Sequence, residues 1–309
     1  MQPGLYIEVR AGLCNRMRAL DSAIFLARDI GKPLHLVWTV DYEMGCGFEE
    51  LFEIPEPIAS IRTISGNQLG GQKMSEELER LRGEAGYLLF QDNMFQLKKS
   101  RFNFRKLRKE QVPYISTWDR FYPQKNFGKK SPRSLGFWLR NLSLALSARL
   151  HHLYAGQDPL SPYAHLYAAF RPVAQLQERI LKNTGSFQRT IGVHLRRTDN
   201  PGQRFSPTEL FIRRMTQEVE RHPETDFFVA TDDPAEEAVL LQEFPGRIRT
   251  HKKRSLDRAT KEAMEDAVID LYCLAATERI IGTIQSSFTV TAAQINRIPL
   301  EVLSIRNKA

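Results

Sequence analysis

A tandem arginine follows a short apolar stretch in the second half of the chain, and its position suggests anion binding. Residues 191–195 alternate as a strand does, and Arg196 and Arg197 come where that strand should end. Ligands of open α/β sheets bind beyond the carboxyl ends of strands, and guanidinium groups match phosphate oxygens. We predict a nucleotide-phosphate site here. One arginine would grip a diphosphate, while the other could instead form an internal salt bridge with Asp199 or Asp232.

A second candidate for anion binding is the serine pair Ser286 and Ser287. The pair follows a predicted strand over residues 279–283 and opens the last predicted helix. Backbone N–H groups and the helix dipole form an anion site at a helix start, and the hydroxyls add donors. Simple capping of the helix is the alternative, since serine is a common N-cap. The tandem arginine favours the anion site.

Asp270 interrupts an otherwise apolar helical run over residues 268–274. A buried carboxylate must be paired or neutral, because leaving it bare is costly. It either accepts hydrogen bonds from a nucleobase edge or a ribose, or forms a salt bridge with an arginine. Both interpretations stay open.

Three residues of the first half lie where a ligand would meet the first strand-to-helix connection. Gly12 follows a predicted strand over residues 5–9, and Asn15 and Arg16 follow at the helix start. A tight turn favours glycine, and asparagine commonly caps helices. The ordinary turn interpretation therefore stands beside the functional one.

Familiar nucleotide and metal motifs are missing from the sequence. There is no Walker phosphate loop, no Gly-x-Gly-x-x-Gly fingerprint, no His-Glu-x-x-His and no Cys-x-x-Cys. There is also no Asp-x-Asp, the usual metal clamp on a nucleoside diphosphate. If a diphosphate leaves here, arginines and helix termini must stabilise its charge. We expect neither a cofactor nor a metal.

The elements that must position these residues follow from the spacing of apolar side chains. In the first half, a strand over residues 5–9, a helix over 15–30 and a strand over 34–38 form a βαβ opening. Such an opening predicts parallel strands with a right-handed crossover.

The second half continues the same alternation. Strands are predicted over residues 190–195, 227–231 and 279–283, each followed by a helix. Ser206 to Glu209 form a capping box with proline at the first helical position, and Asp233 is placed to cap the next helix. We predict an α/β protein of two doubly wound domains, over residues 1–180 and 181–309.

Composition points to a soluble protein of a reducing compartment. The chain has 309 residues and three scattered cysteines, Cys14, Cys46 and Cys273. An odd, scattered set argues against a disulfide framework or a zinc cluster. No apolar run reaches the length of a signal core or a membrane span. We expect a cytoplasmic location.

Positive charge is concentrated in one segment. The whole chain carries a net charge of +8, but residues 98–149 hold 14 lysines and arginines against two acids. This excess suggests an anionic partner, a membrane surface or nucleic acid. A solvated basic face without a partner is the alternative.

Four motifs of the second half jointly resemble a known family. The stretches IGVHLRRTDN, FFVATDD, IDLYCLA and IIGTIQSSFT stand in the order seen in a fucosyltransferase superfamily. Its members include the nodulation-factor, core N-glycan and protein O-fucosyltransferases. The stretch GLCNRMRAL is similar to the first strand-to-helix turn of the same superfamily. The resemblance covers the carboxyl half and the first 40 residues, and leaves residues 45–171 unplaced.

The resemblance implies a GT-B fold of two Rossmann-like domains that face a central cleft. It also implies an inverting, metal-independent transfer of fucose from GDP-fucose to a glycan hydroxyl. Arg196 and Arg197 would hold the diphosphate, and His194 and Asp270 would face guanine or ribose. The other implied donor contacts are Asp232, Ser286, Ser287 and Phe288, with Gly12, Asn15 and Arg16 closing the cleft from the other domain.

The chain departs from the family after the arginines. Core N-glycan enzymes carry a lysine and then a glutamate there, the latter proposed as general base. Here the two places hold Asn200 and, roughly, Arg204. Asp199 and Glu209 are the remaining candidates for the base, although Glu209 belongs to the predicted capping box. Alternatively, leaving-group stabilisation dominates and the proton is lost late.

Partners and rival functions follow from the same features. The basic segment suggests an anionic or lipid-linked glycan acceptor and peripheral contact with an anionic inner membrane face. Its aromatic residues are framed by no nucleic-acid motif, so a nucleic-acid partner is not expected. The alternatives are a related glycosyltransferase that uses another nucleotide sugar, and a non-catalytic protein that binds nucleotide sugars or glycans.

Overall fold

The structure is a computed structural model that describes residues 1–65, 75–90, 103–121 and 167–305. These residues form two five-stranded sheets, and every neighbouring pair of strands is parallel. Helices alternate with the strands along the chain. The predicted α/β class is therefore confirmed.

The first sheet has the strand order β3-β2-β1-β5-β4. Its strands are β1 (Leu5–Val9), β2 (Leu34–Val40), β3 (Ile58–Ser65), β4 (Tyr87–Phe90) and β5 (Pro113–Thr117). The helices between them are α1 (Leu13–Ile30), α2 (Glu76–Gly83) and α3 (Phe104–Lys109), with a short 3₁₀ turn at Phe48–Glu50.

Helix α1 forms where its apolar spacing predicts. Met17, Leu20 and Ile24 lie on its buried face, as residues three and four apart share one side of a helix. The helix ends at Gly31, which adopts φ 66° and donates its N–H to the last carbonyls. Glycine suits this left-handed position because it has no Cβ.

The second sheet has the strand order β10-β9-β6-β7-β8. Its strands are β6 (Thr190–Leu195), β7 (Asp226–Thr231), β8 (Ile248–Thr250), β9 (Ile280–Thr283) and β10 (Leu300–Leu303). The helices are α4 (Ala174–Thr184), α5 (Thr208–Arg221), α6 (Pro234–Glu243), α7 (Lys261–Ala275) and α8 (Ser287–Asn296), with a 3₁₀ turn at Gln203–Phe205.

One face of the second sheet packs on α5 and α6 through a continuous apolar core. Val193 and Val229 of the central strands are fully buried against Phe211, Met215 and Leu240 of the helices. Central parallel strands are buried on both faces. The polar residues that follow these strands are thereby held at a rigid edge.

The start of α5 differs from the prediction. The helix begins at Thr208 with Pro207 as its N-cap, and no side chain caps it. The predicted capping box is wrong because the Ser206 hydroxyl is used elsewhere: it donates to Leu303 O at 2.5 Å and accepts from Ile284 N at 3.2 Å. By contrast, the predicted cap Asp233 is confirmed at the start of α6, where it accepts from Ala235 N at 2.9 Å.

The described residues fall into two compact units. The first takes those within Met1–Phe127, His165–Leu176 and Arg254–Asp266, and the second takes those within Gln177–Lys253 and from Ala267 onward. Residues 254–266 thus belong to the first unit although they come late in the chain. The division into domains 1–180 and 181–309 stays a prediction.

Candidate functional site

The second sheet reverses its strand order between β6 and β9. From β6 the chain moves outward through β7 to β8, then returns to β9 on the other side of β6. The connections that leave β6 and β9 therefore run to opposite sides, which makes the carboxyl ends of these strands a switch point. Doubly wound sheets leave a crevice at such a switch point, and their ligands bind there. Arg196 follows β6, and Ser286 follows β9.

His194 lies at the carboxyl end of β6 as a buried, neutral side chain. Its Nδ1 is 2.6 Å from Thr289 Oγ1 of α8, and its ring stacks on Phe288 with centroids 4.9 Å apart. Burial lowers the pKa of His194 to about 3, and the charge of Asp232 opposes the shift only in part. Phe288 and Thr289 therefore fix the ring, and the imidazole stays uncharged at neutral pH.

The close approach of α8 to β9 depends on a glycine. A Cβ on Gly282 would lie 2.2 Å from Thr289 Cγ2. Only the bare backbone of Gly282 lets Thr289 pack against the strand and reach His194. Thr283, the next residue, joins the two strand ends, because its hydroxyl donates to His194 O at 3.2 Å and accepts from Arg196 N at 3.0 Å.

Arg196 stands at the edge of this crevice. Its guanidinium forms ion pairs with Asp232 and Asp199. The side chain keeps 20% exposure, and that of Asp199 keeps 56%. Salt bridges exposed to water are weak. An incoming anion can therefore replace Asp199 as the partner of Arg196 at little cost in free energy.

Arg197 is placed differently. Its guanidinium donates to Glu236 at 2.7 Å, to Ser206 O at 3.0 Å and to the Thr208 hydroxyl at 3.0 Å. The side chain is only 8% exposed. Three internal bonds tie the end of β6 to α5 and α6, so Arg197 has a structural role here, and its diphosphate contact stays a prediction.

Asp232 organises the turn that carries the arginines. Its carboxylate accepts from the backbone N–H groups of Arg197 at 2.8 Å and Thr198 at 3.1 Å, and from the Thr198 hydroxyl. Burial opposes ionisation, but the Thr198 hydroxyl, the charge of Arg196 and these N–H groups outweigh it and lower the pKa of Asp232. Asp232 is therefore ionised, and its ion pair with Arg196 fixes the position of that guanidinium.

The start of α8 presents backbone donors to the same crevice. Ser286 is its N-cap and accepts from Thr289 N at 3.4 Å. In the part of the chain that the structure describes, the N–H groups of Ser287 and Phe288 have no acceptor, as is usual for a first turn. Gln285, just before the cap, adopts φ 60°. A non-glycine residue in this conformation costs about 1–2 kcal/mol, and such strain clusters at ligand sites.

Asn200 ties the arginine turn to the serine turn. Its side-chain amide donates to Ile284 O at 3.0 Å and accepts from Gly202 N at 2.8 Å. A Cβ on Gly202 would lie 2.6 Å from Ile284 O, so the two turns touch. Asn200 is thus an internal clasp between the two turns.

Asp270 is buried on α7 and pairs with a lysine, Lys253, at 3.1 Å. From the sequence, its expected partner was a base edge, a ribose or an arginine. The sequence does not single out Lys253 as the partner, because only the fold brings these two residues together.

The two candidate bases differ in position. Asp199 lies on the turn after β6 beside Arg196. Glu209 is an exposed residue in the first turn of α5, and Arg204 is exposed and stacks on Phe205, with its guanidinium carbon 4.7 Å from the ring centroid. Of the three, Asp199 alone is paired with Arg196.

In the first unit, the turn after β1 is built around Arg16. The Arg16 side chain is fully buried and donates to Ala11 O at 2.6 Å and to Asp41 at 2.8 Å. Ala11 adopts φ 64°, whereas a Cβ on Gly12 would meet nothing within 4 Å. Asn15 is partly exposed and accepts from Arg18 at 2.5 Å. Arg16 thus supports the turn from inside, while Gly12 and Asn15 are partly exposed. The ligand contacts of these three residues stay predictions.

Neither a metal cluster nor a membrane span is found in the described ranges. Across those residues, no three His, Cys, Asp or Glu side chains converge as a metal site requires. No helix in the same part of the chain is both long and apolar enough to cross a membrane.

Sequence comparison matches the chain to no protein-family model and to no curated protein. Solved structures do match it over almost its whole length. Fucosyltransferase NodZ from Bradyrhizobium superposes with a TM-score of 0.56 and 16% identity, covering 100% of this chain and 98% of that one. FUT1 of Arabidopsis thaliana, as a mutant in complex with GDP, gives 0.55 and 13%, covering 98% of this chain and 70% of that one.

A third structure, POFUT1 in complex with GDP-fucose, gives a TM-score of 0.53 and 11% identity, covering 98% of this chain and 99% of that one. At such identities the likeness establishes the architecture. The chain accordingly has the GT-B fold of these fucosyltransferases, with two parallel sheets of Rossmann-like type.

Proposed function

We propose that this protein is a glycosyltransferase that moves fucose from GDP-fucose to a hydroxyl group of a glycan. The fold it shares with NodZ, FUT1 and POFUT1 supports this proposal. The observation that carries it is local: at the switch point of the second sheet, the backbone N–H of Arg196 donates to the hydroxyl of Thr283, three residues before the N-cap of α8.

The diphosphate of the donor is assigned to this switch point. Arg196 supplies charge-assisted donors, and the first N–H groups of α8, with the hydroxyls of Ser286 and Ser287, supply the remainder. The pair with Asp199 would open when phosphate arrives, while Asp232 keeps Arg196 in place. Arg197 contributes indirectly, by fixing the turn.

The nucleoside is assigned to the neighbouring surface of the same sheet. His194 is neutral and held by Thr289, and Phe288 stacks beside it. An uncharged imidazole next to an aromatic ring suits a base or a ribose better than a phosphate. Asp270 completes the set as an acceptor for donors of the base.

The proposed chemistry is an inverting displacement without a metal. The bond between the fucose anomeric carbon and the β-phosphate oxygen breaks, and a bond to the acceptor oxygen forms on the opposite face. Arg196 and the start of α8 stabilise the negative charge on GDP, a contribution of about 3 kcal/mol or more for one well-placed donor. The acceptor proton passes to Asp199 or is lost late to water.

The first unit is proposed to serve the acceptor. Gly12 and Asn15 lie at the surface of the turn after β1. The positive charge of residues 98–149 suggests an anionic or lipid-linked glycan, and that segment lies largely outside the described residues. Contact with an anionic membrane face and a cytoplasmic location belong to the same proposal.

A non-catalytic nucleotide-sugar binder is the second candidate. Asn200 and Arg204 favour it, because they occupy the places where the resemblance leads one to expect a lysine and a glutamate base. Turnover of GDP-fucose separates the two candidates.

The test combines binding and turnover. In a thermal-shift panel of GDP, UDP and ADP, GDP is expected to raise the melting temperature most, since a ligand stabilises the state that it binds. Arg196→Ala should keep its fold and lose GDP release from GDP-fucose by roughly a hundredfold. Arg204→Ala, which removes an exposed arginine nearby, is the matched control and should behave like the wild type. Equal turnover in both variants would remove Arg196 from the mechanism.

A further inference from the structure

The second unit contains a buried charge pair of which the proposed function uses only one member, Asp270. Lys253 follows β8, and its ammonium lies 3.1 Å from Asp270 and 3.8 Å from Glu237. Asp270 is 4% exposed, and the Lys253 side chain is 15% exposed. Within the described residues, the Lys253 ammonium is shielded from solvent and makes no hydrogen bond of good geometry. A buried charge pair is often no more stabilising than apolar packing. Stability alone therefore does not explain why this pair is present.

The fold places this pair level with His194. A Cβ on Gly192 would lie 3.0 Å from Leu274, so the end of α7 packs on β6 there. Asp270 comes one helical turn before Leu274, toward the carboxyl edge of the sheet, a rise of about 6 Å. His194 comes two residues beyond Gly192 on the same face, also about 6–7 Å along. Asp270 and His194 therefore lie at about the same height along the sheet.

The electrostatics agree with this placement. Burial is the main reason for the low pKa of His194, and the positive charge of Lys253 adds to it. The ammonium of Lys253, which pairs with Asp270, is thus one of the charges that act on His194 beside the proposed nucleoside position.

We propose that Lys253 sets the choice of nucleobase by keeping Asp270 ionised, and so acts as a positioning residue. This inference rests on the proposed function, which places a nucleoside at this surface. Guanine offers two adjacent donors, N1–H and N2–H, that a carboxylate accepts together. Adenine offers a bare N1 acceptor, which a carboxylate repels.

The role of the lysine follows from the cost of a lone buried charge. Without a cation beside it, a carboxylate in an apolar site takes up a proton. The protonated acid becomes a donor. The protonated Asp270 can no longer accept both N–H groups of guanine, and it can instead donate a hydrogen bond to adenine N1. Removing Lys253 is therefore expected to weaken GDP binding and to relax the discrimination against ADP.

The experiment compares the affinities of GDP and ADP by titration calorimetry in four proteins. In Lys253→Met the ratio of the ADP to the GDP dissociation constant should fall by roughly tenfold or more, the effect of one charged hydrogen bond. Lys253→Arg keeps the charge and should keep most of the ratio. Glu237→Gln removes only the contact at 3.8 Å and should leave the ratio unchanged. In turnover, Lys253→Met should raise KM for GDP-fucose with little change in kcat.

Each outcome decides something. Equal weakening of GDP and ADP in Lys253→Met would assign the pair a purely structural role and overturn the inference. Wild-type protein that binds no nucleotide would overturn the proposed function, whereas wild-type binding with an unchanged ratio overturns this inference alone. If Lys253→Met does not fold, Asp270→Asn decides: it removes the charge with little change of shape, and an unchanged ratio there would also refute the proposal.

Discussion

Among single residues, function depends on which polar groups are committed inside the protein and which face the crevice. Arg197, Asp232 and Arg16 all have internal partners. Arg196 keeps an exposed pair with Asp199, which a phosphate can replace. Tandem arginines in a sequence look alike, and only their surroundings separate a ligand contact from a structural support.

His194 gives a pH prediction. Its pKa is near 3 in the folded protein against an ordinary 6.5, so below pH 6.5 the unfolded chain takes up a proton that the folded protein refuses. The contribution of His194 to the free energy of unfolding is therefore fully present above pH 6.5. It falls by about 1.4 kcal/mol per pH unit as the pH drops toward 3. Between about pH 7 and pH 5, urea unfolding should show the wild type losing about 2 kcal/mol more than His194→Gln. Parallel losses in the two proteins would show that His194 titrates normally.

The hydroxyl of Thr289 gives a second prediction. Thr289→Val keeps the shape and removes the partner of His194 Nδ1, so it should lower the free energy of unfolding by about 1–3 kcal/mol. Thr291, on the same helix, has a buried hydroxyl with no hydrogen bond among the described residues. Thr291→Val is therefore the matched control and should be neutral or stabilising. Similar losses in both variants would mean that the bond to His194 contributes nothing.

Among helices and strands, the site depends on how closely α8 approaches β9. Gly282→Ala would place a methyl group 2.2 Å from Thr289 Cγ2, and overpacking of this kind costs about 1–3 kcal/mol. At Gly83, the end of α2, an added methyl group would meet nothing within 4 Å, so Gly83→Ala should be neutral or slightly stabilising. Denaturant unfolding of both variants measures the difference. A Gly282→Ala variant as stable as the wild type would show that α8 moves away without cost.

Elements with strong periodicity were predictable. Helix α1 and strands β6 and β7 appear where apolar spacing predicts them. Strand β5 was not predicted, because it begins with proline inside the basic segment, yet it lies fully buried between β1 and β4. Proline is tolerated there because the first residue of a strand need not donate. Only the long-range pairing of β5 reveals its type.

The candidate site was predictable in part for a similar reason. Arg196, Ser286 and His194 stand in motifs, and the strand ends that carry them meet at one sheet edge. Lys253 and the clasp of Asn200 could not be inferred, because both depend on contacts between segments far apart in sequence. The capping box failed because the Ser206 hydroxyl serves a distant carbonyl.

Across the molecule, both sheets share one design. Each is doubly wound, and in each the turn beyond an inner strand contains a non-glycine residue with positive φ, Ala11 after β1 and Gln285 after β9. Residues 254–266 pack with the first unit although the chain around them belongs to the second. A fragment limited to residues 181–309 would therefore leave that segment without its packing partners.

Net charge gives a prediction for the molecule as a whole. With +8 overall and its excess within residues 98–149, the protein should co-sediment with anionic vesicles and much less with neutral ones. Because such attraction is electrostatic, raising the salt concentration should release it. Equal recovery with both kinds of vesicle would contradict the membrane part of the proposal and leave the donor site untouched.

The proposed function depends on one contact: the donor diphosphate must bind to Arg196 and to the start of α8. Titration calorimetry of GDP and of guanosine, with wild type, Arg196→Ala and Arg204→Ala, isolates this contact, since the two ligands differ only in the diphosphate. We expect GDP to bind the wild type far more tightly than guanosine does, and Arg196→Ala to lose roughly tenfold to a hundredfold of GDP affinity with little change for guanosine. GDP affinity that is the same in Arg196→Ala as in Arg204→Ala would contradict the assignment.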